Sequence, residues 1–285
     1  MISIILILLF VFSVLSVPVC HGVISGLYLY GMKIFPGLFI SFILTNILVR
    51  ILQQKNINNP WILVITGLMT GFPNGAYICS WYNKNNPENR LGDMLAGIIN
   101  IPSPAFLISY VYINILEKCI SLPVFLALTY TPVILCSYMV ILLFRDKDNK
   151  KDNAPHIKTG KKLIFHFFEE AVDTSINTAL KLGAYVIIFS VIVNIIMHFS
   201  QSNTVGLLIS YLFEISNGLA IIKNAGIPMN ITVLLTVLLD AFGGVCIIMQ
   251  TKSICSSYIS IKKYIYQKLV LCIVCLLYTS PSPRD

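Results

Sequence analysis

The chain has 285 residues, of which 56% are hydrophobic and only 11% are charged, and its mean hydropathy is +0.82. Soluble domains carry about 25% charged residues, so this composition excludes an ordinary soluble enzyme and indicates a membrane protein whose first partner is the lipid bilayer. The net charge of +8 comes largely from basic loops beside apolar segments, a pattern typical of the cytoplasmic face of a membrane protein. We therefore predict that the chain does not bind nucleic acid.

Apolar runs of membrane length recur along the whole chain, and a helix needs about 20 such residues to span the hydrocarbon core. The runs cover residues 2–19, 34–52, 61–81, 94–114, 120–144, 182–199, 204–222 and 229–250, and a last run begins at residue 264. They predict an all-α polytopic integral membrane protein with eight or nine membrane segments, forming one membrane domain over residues 1–274. The first run lacks a basic segment and a typical cleavage site, so we expect a retained helix rather than a signal peptide.

Helix-breaking residues interrupt two runs in the first half of the chain. Gly71, Asn74 and Gly75 stand at the centre of the run at 61–81, and Asn100 and Ser103 lie within the run at 94–114. Interrupted backbone is tolerated at membrane depth only where it is buried in protein or lines a wet cavity. The interruptions therefore predict a buried polar site, with close packing by small residues as the alternative.

The second half of the chain repeats this arrangement. Residues 32–49 align with 180–197, residues 68–78 with 211–221, and residues 100–110 with 240–250. The alignment pairs Asn74-Gly75 with Asn217-Gly218, Asn100 with Asp240, and Ser103-Pro104 with Gly243-Gly244. Paired interruptions in two halves point to the binding site of a transporter. We predict one repeat over about residues 32–114 and a second over about residues 180–254.

A basic linker at residues 145–162 contains seven Lys and Arg residues and is expected on the cytoplasmic side. If every segment crossed the membrane, five basic residues would lie on the other side: Arg50, Lys55, Lys252, Lys262 and Lys263. One re-entrant segment in each half moves all five to the cytoplasmic side, at the cost of placing Lys33 outside. The charges therefore favour two inverted repeats, each with two broken or re-entrant helices.

Two carboxylates, Glu214 and Asp240, lie within apolar runs, where an acidic residue is a functional candidate by default. We expect them to bind a coupling Na⁺ or to carry H⁺. The alternative is a structural role, in which protonated or hydrogen-bonded acids hold helices together. The predicted solute site comprises Gly71, Asn74, Gly75, Asn100, Ser103, Glu214, Asn217, Gly218, Asp240, Gly243, Gly244 and Gln250.

Three further features have simpler interpretations. Residues 161–183 have one apolar and one acidic face, which predicts an interfacial amphipathic helix between the halves. Residues 275–285 look like the translation of a sequencing adapter, so we expect the natural chain to continue past Val274. The histidines show no ligand-like spacing, and the sequence contains no P-loop or HExxH motif, so we predict no metal site, no cofactor and no enzymatic activity.

Four short motifs resemble those of a known family: GFPNGA at 71–76, SPAF at 103–106, EISNG at 214–218 and GGVCIIMQ at 243–250. In this order they are similar to the sporulation integral membrane proteins of the YlbJ type, which belong to the group with the nucleoside-recognition Gate domain. The resemblance covers about residues 26–263. It implies a multi-pass protein in the cell membrane of a sporulating bacterium, a role in spore cortex formation, and kinship with Gate-domain permeases. Pro102 departs from the expected pattern.

The sequence supports two hypotheses for function. The first is a permease of a small polar, nucleoside-like solute that binds at the interrupted helices. The alternative is a non-transporting scaffold that positions spore-envelope proteins through the linker at 145–162 and the amphipathic helix. A homo-oligomer is compatible with either hypothesis.

Overall fold

In the computed structural model, residues 13–55, 59–86, 90–144, 161–200, 204–255 and 258–279 are described, together with four isolated positions before residue 13. The regular structure in these ranges is entirely helical. The helices are α1 (Ser16–Tyr28), α2 (Phe35–Lys55), α3 (Pro60–Thr70), α4 (Asn74–Asn85), α5 (Leu91–Ile99), α6 (Pro104–Phe106), α7 (Leu122–Phe144), α8 (Lys161–Ser200), α9 (Thr204–Phe213), α10 (Ile215–Asn224), α11 (Met229–Phe242), α12 (Gly244–Cys255) and α13 (Ile261–Thr279). A π-helical segment, Leu29–Ile34, joins α1 to α2, and another, Leu107–Ile115, extends α6.

Five helical stretches are long and apolar enough to cross a membrane. They are Ser16–Leu52, Leu91–Ile115, Leu122–Phe144, Phe168–Ser200 and Met229–Cys255. The described part of the chain is therefore an all-helical protein with five candidate membrane spans, and the total of eight or nine segments stays a prediction. Two of the predicted runs, 61–81 and 204–222, are divided into helices of 10 to 12 residues, which are too short to cross a bilayer.

The helices α3 and α4 fold back on each other as a hairpin. Near its open end, Trp61 of α3 stacks on Tyr138 of α7 with ring centroids 6.3 Å apart. On the other arm, the Asn83 amide donates to the Tyr258 carbonyl at 2.9 Å. These contacts place both arms at the end of the bundle that holds Lys263 and the last residues of α7, which we call the basic end.

The helices α9 and α10 form a second hairpin. The two arms touch, because a Cβ placed on Gly218 of α10 would lie 2.6 Å from the Tyr211 carbonyl oxygen of α9. Near the open end, Lys223 donates to the Asn114 carbonyl at 2.7 Å and pairs with Glu117. We call the end marked by this ion pair the distal end.

The sequence predicts an interfacial helix over residues 161–183, and in the structure these residues belong to α8, which is continuous over 40 residues. Part of its polar side meets α2. The Asn46 amide donates to the Ser175 hydroxyl at 2.9 Å, and Arg50 pairs with Glu170. Tertiary packing on α2 therefore provides partners for two polar side chains of the amphipathic segment, Glu170 and Ser175.

Several predictions concern positions outside the described residues. These are most of the first apolar run before residue 13, the linker at 145–160 and the tail at 280–285. Residues 275–279, which look like part of the tail in the sequence, form the last turn of α13, and Cys275 is buried there.

Candidate functional site

The helices are interrupted at the four positions that the sequence indicates. The interruptions lie at residues 71–73 between α3 and α4, at 100–103 between α5 and α6, at Glu214 between α9 and α10, and at Gly243 between α11 and α12. The α5–α6 and α11–α12 pairs each continue within one candidate span, whereas α3–α4 and α9–α10 reverse direction. Each half of the chain therefore has one interrupted candidate span and one hairpin.

Local chemistry accounts for where these helices stop and restart. Gly71 (φ +70°), Gly243 (φ +83°) and Gly244 (φ +82°) adopt backbone conformations that glycine tolerates and other residues resist. The Ser103 hydroxyl then accepts from the Phe106 N–H at 3.3 Å and caps α6. The Glu214 carboxylate accepts from the backbone N–H of Asn217 at 2.7 Å and caps α10.

Each hairpin tip rests on the break of a spanning helix. A Cβ on Gly71 would lie 2.4 Å from the Ser103 backbone nitrogen, and one on Gly75 would lie 2.8 Å from the Ile99 carbonyl oxygen. In the second half, a Cβ on Gly244 would lie 3.2 Å from the Leu212 carbonyl oxygen near the tip of the α9–α10 hairpin. The small residues thus let backbone approach backbone at the breaks, as both the packing and the binding interpretations require.

A small cavity of about 20 Å³ lies between these breaks. Its polar lining includes three residues of the predicted site, Ser103, Glu214 and Gln250, each at most 2% exposed. The Gln250 amide nitrogen donates to Cys246 Sγ at 3.2 Å, while its carbonyl oxygen has no partner among the described residues. A volume of this size holds about one water molecule. The cavity, which we call the central cavity, is therefore small, and its few polar side chains lie in a mostly apolar lining.

A larger polar space of about 280 Å³ lies toward the basic end and is called the vestibule here. Its lining contains no Asp or Glu and consists of Asn46, Asn74, Tyr77, Thr174, Asn177, Thr178, Lys181, Ser253 and Ile254. Asn74 is 4% exposed, and its amide nitrogen has no hydrogen-bond partner among the described residues. The vestibule therefore places an unsatisfied donor from the predicted site beside the exposed Lys181 side chain.

A gap too small to hold a water molecule lies between the vestibule and the central cavity. It shares Thr178 and Lys181 with the vestibule, and it shares Leu182 and Gln250 with the central cavity. Pro73 at the first hairpin tip also lines it. These side chains form a barrier between the two spaces.

Asp240 lies apart from the central cavity, contrary to the expectation of one shared site. It is fully buried in the last turn of α11, and neither carboxylate oxygen has a hydrogen-bond partner among the described residues. The next residue, Ala241, accepts a hydrogen bond at 2.9 Å from Lys268, a buried lysine of α13. Sequence reasoning missed Lys268, although a lysine inside the apolar run that begins at residue 264 was a usable signal.

Asn100 is a connector rather than a cavity-lining residue. It is fully buried, and its side-chain oxygen accepts from the Ala76 N–H at 3.2 Å. Its amide nitrogen donates to the Tyr264 hydroxyl at 2.8 Å and to the Thr251 hydroxyl at 3.3 Å. Asn100 thereby joins the first hairpin to α12 and α13.

The remaining predicted residues also lie off the central cavity. The Asn217 amide donates to the Ser190 hydroxyl of α8 at 3.0 Å, and Gly218 packs against α9. Toward the distal end, the Tyr110 hydroxyl donates to the Ser216 carbonyl at 3.1 Å and joins α10 to the extension of α6. Farther out, the Lys223 ammonium lowers the pKa of Glu117 by donating a hydrogen bond to its carboxylate.

In comparisons with known proteins, no family model, curated protein or solved structure matches the chain. The similarity to the sporulation membrane proteins therefore stays a prediction based on the four motifs. Within the described ranges, no group of three or more His, Cys, Asp or Glu side chains could hold a metal ion.

Proposed function

We propose that the protein is a permease for a small polar solute and that the solute binds where the four helix breaks meet. The observation that carries this proposal is the central cavity, which Ser103, Glu214 and Gln250 line between two hairpin tips, and from which Gln250 also reaches the barrier beside the polar vestibule. Polar side chains buried at membrane depth are costly, and in transporters they mark the path of the solute.

The proposed architecture is a pair of inverted repeats, each with one hairpin and one broken spanning helix. Its support is that the open ends of the hairpins have contacts at opposite ends of the bundle, one with Tyr258 near the basic end and one with Glu117 at the distal end. In such repeats, solute sites lie near the midplane at the repeat interface, and access alternates as one part moves against the other.

The difference in volume between the vestibule and the central cavity supports a proposal about the conformation of the permease. Sites for small ligands usually measure about 300–1,000 Å³, and the vestibule approaches this range whereas the central cavity does not. We infer a conformation in which the vestibule is accessible from the basic end and the central cavity is closed by Pro73, Leu182 and Gln250. Transport requires these three side chains to separate.

Glu214 is the proposed centre of recognition. One of its carboxylate oxygens accepts the Asn217 N–H, and its side chain also lines the central cavity. A nucleoside-like solute carries hydroxyl and N–H donors that a carboxylate and the Gln250 carbonyl oxygen can accept. Glu214 is also the proposed carrier of a coupling H⁺, and Na⁺ is the alternative coupling ion. By the motif resemblance, we place the permease in the membrane of a sporulating cell.

A thermal-shift panel on the purified protein tests this proposal. Nucleosides, nucleobases, amino acids and small carboxylates are screened against the wild type and Glu214→Gln, with Glu117→Gln as a control because Glu117 is exposed at the distal end. A ligand at 100 times its Kd stabilises the native state by about 2.7 kcal/mol. We expect at least one solute to raise the Tm of the wild type and of Glu117→Gln, but not that of folded Glu214→Gln.

The opposite result favours the scaffold hypothesis. If no compound shifts the Tm of folded wild-type protein, and Glu214→Gln supports spore formation as well as the wild type, the breaks serve packing alone. The surface that binds spore-envelope proteins would then include the linker at 145–162, and scrambling that linker would abolish function.

A further inference from the structure

Lys268 is fully buried and lies where the two broken spanning helices approach each other. Its ammonium nitrogen donates to the Asn100 carbonyl and, at 2.9 Å, to the Ala241 carbonyl. Asn100 directly follows α5, and Ala241 is in the last turn of α11. A single side chain of α13 therefore bridges the carbonyl ends of one broken helix from each half.

These helix ends form a site for positive charge. The last carbonyl groups of a helix lack intrahelical partners and carry partial negative charge. Interrupted helices in transporters use such carbonyl ends to coordinate a coupling cation.

A row of side-chain contacts along α5 fixes the position of Lys268. Lys263 donates to the Asp93 carboxylate at 2.7 Å, and one turn farther along α13 the Gln267 side-chain oxygen accepts from the Gly97 N–H at 2.7 Å. The Gln267 amide nitrogen also donates to the Asp93 carbonyl at 2.8 Å. These contacts fix the position of α13 along α5 and thereby place Lys268 at the break.

We propose that Lys268 is a tethered cation that occupies the crossing of the two broken helices, so that the protein binds no free metal cation there. The ammonium supplies positive charge to the two carbonyl ends. A buried charge without compensation is costly, and here the Asn100 and Ala241 carbonyls stabilise it. The identification of the crossing as an ion site rests on the proposed permease function, whereas the contacts of Lys268 do not.

Cation-dependent thermal stability tests this proposal without a transport assay. The wild type is unfolded in choline chloride, NaCl and KCl at equal ionic strength, and we expect the same Tm in all three. Lys268→Ala removes the ammonium and leaves space, so its Tm falls. Ethylammonium then restores the Tm by about 3 °C or more in a saturable manner, as mass action requires for binding to the native state. Lys262→Ala, on the exposed side of the same helix, shows neither effect.

A second variant covers the case in which Lys268→Ala does not fold. Lys268→Met keeps the volume of the side chain and removes its charge, so the Asn100 and Ala241 carbonyls lose their shared donor. We expect Lys268→Met to have a lower Tm than the wild type. An equal or higher Tm of Lys268→Met overturns the proposal, as does a saturable, Na⁺-specific rise in the Tm of the wild type.

The two proposals fail separately. A wild type that binds no solute but shows these cation effects contradicts the permease and leaves the role of Lys268 standing. A wild type that binds a solute and requires Na⁺ for its stability contradicts the role of Lys268 alone.

Discussion

Substitution of Gly71 by alanine tests whether the first hairpin tip must lie against the break between α5 and α6. The backbone of Gly71 has φ +70° and ψ −173°, a region essentially restricted to glycine. A Cβ there would also lie 2.4 Å from the Ser103 nitrogen and 2.9 Å from the Ser103 Cα. The substitution therefore combines backbone strain with a steric overlap that no flexible side chain can relieve.

Gly226→Ala is the matched control. Gly226 also has a positive φ, +63°, but a Cβ at that position would have no heavy atom within 4 Å. Its substitution costs the backbone strain alone, about 1–2 kcal/mol. For Gly71→Ala, strain of about 1–3 kcal/mol and overpacking of about 1–3 kcal/mol together reduce the free energy of unfolding by about 2–6 kcal/mol.

Thermal unfolding of the two variants in detergent measures the difference. A loss of 1 kcal/mol lowers Tm by about 2–4 °C in domains of 150–250 residues. We expect Gly71→Ala to have a clearly lower Tm than Gly226→Ala. Equal Tm values for two folded variants would refute the reasoning, because the contact between the hairpin tip and Ser103 would then contribute nothing.

Three further predictions use the same measurement. Asn100→Ala loses three buried side-chain hydrogen bonds and lowers the free energy of unfolding by about 2–4 kcal/mol. A decrease in this free energy as small as that of a typical surface substitution would contradict the connector role. Asp93→Ala is more destabilising than Glu170→Ala, because the Asp93 side chain is 6% exposed and accepts from the Ser260 N–H and from Lys263. The Glu170 side chain is 41% exposed, and its ion pair contributes about 1 kcal/mol or less, so the reverse order of the two losses in stability would contradict this ranking. Gly22→Val separates α1 from α8 and lowers Tm, since a Cβ there would lie 2.5 Å from the Val191 Cα; an unchanged Tm would show that α1 does not pack there.

The sequence determined the membrane class and the positions of the helix breaks. Both depend on local properties of the chain. The membrane class follows from the high content of apolar residues and the low content of charged ones, and a break follows from residues such as Gly71 and Gly243 that adopt a positive φ. The caps at Ser103 and Glu214 are equally local, because each side chain reaches a backbone N–H only three residues away. Burial of Glu214 was predictable too, since it lies within an apolar run.

Only the tertiary structure decided whether the chain reverses or continues after each break. The α9–α10 hairpin and the α11–α12 candidate span both come from interrupted apolar runs, and yet one reverses direction and the other continues. The direction depends on contacts with helices distant in sequence, such as the approach of Gly244 to Leu212. Hydrophobic periodicity does not encode such contacts.

The tertiary structure also decided which polar residues share a site. Glu214 and Asp240 both lie within apolar runs of the sequence, but Glu214 lines the central cavity and Asp240 precedes the residue whose carbonyl accepts from Lys268. In α8, Glu170 and Ser175 find partners on α2 that the sequence of α8 by itself does not indicate. A sequence gives the cost of burying each polar group, whereas the partner that offsets this cost is set by packing across the fold.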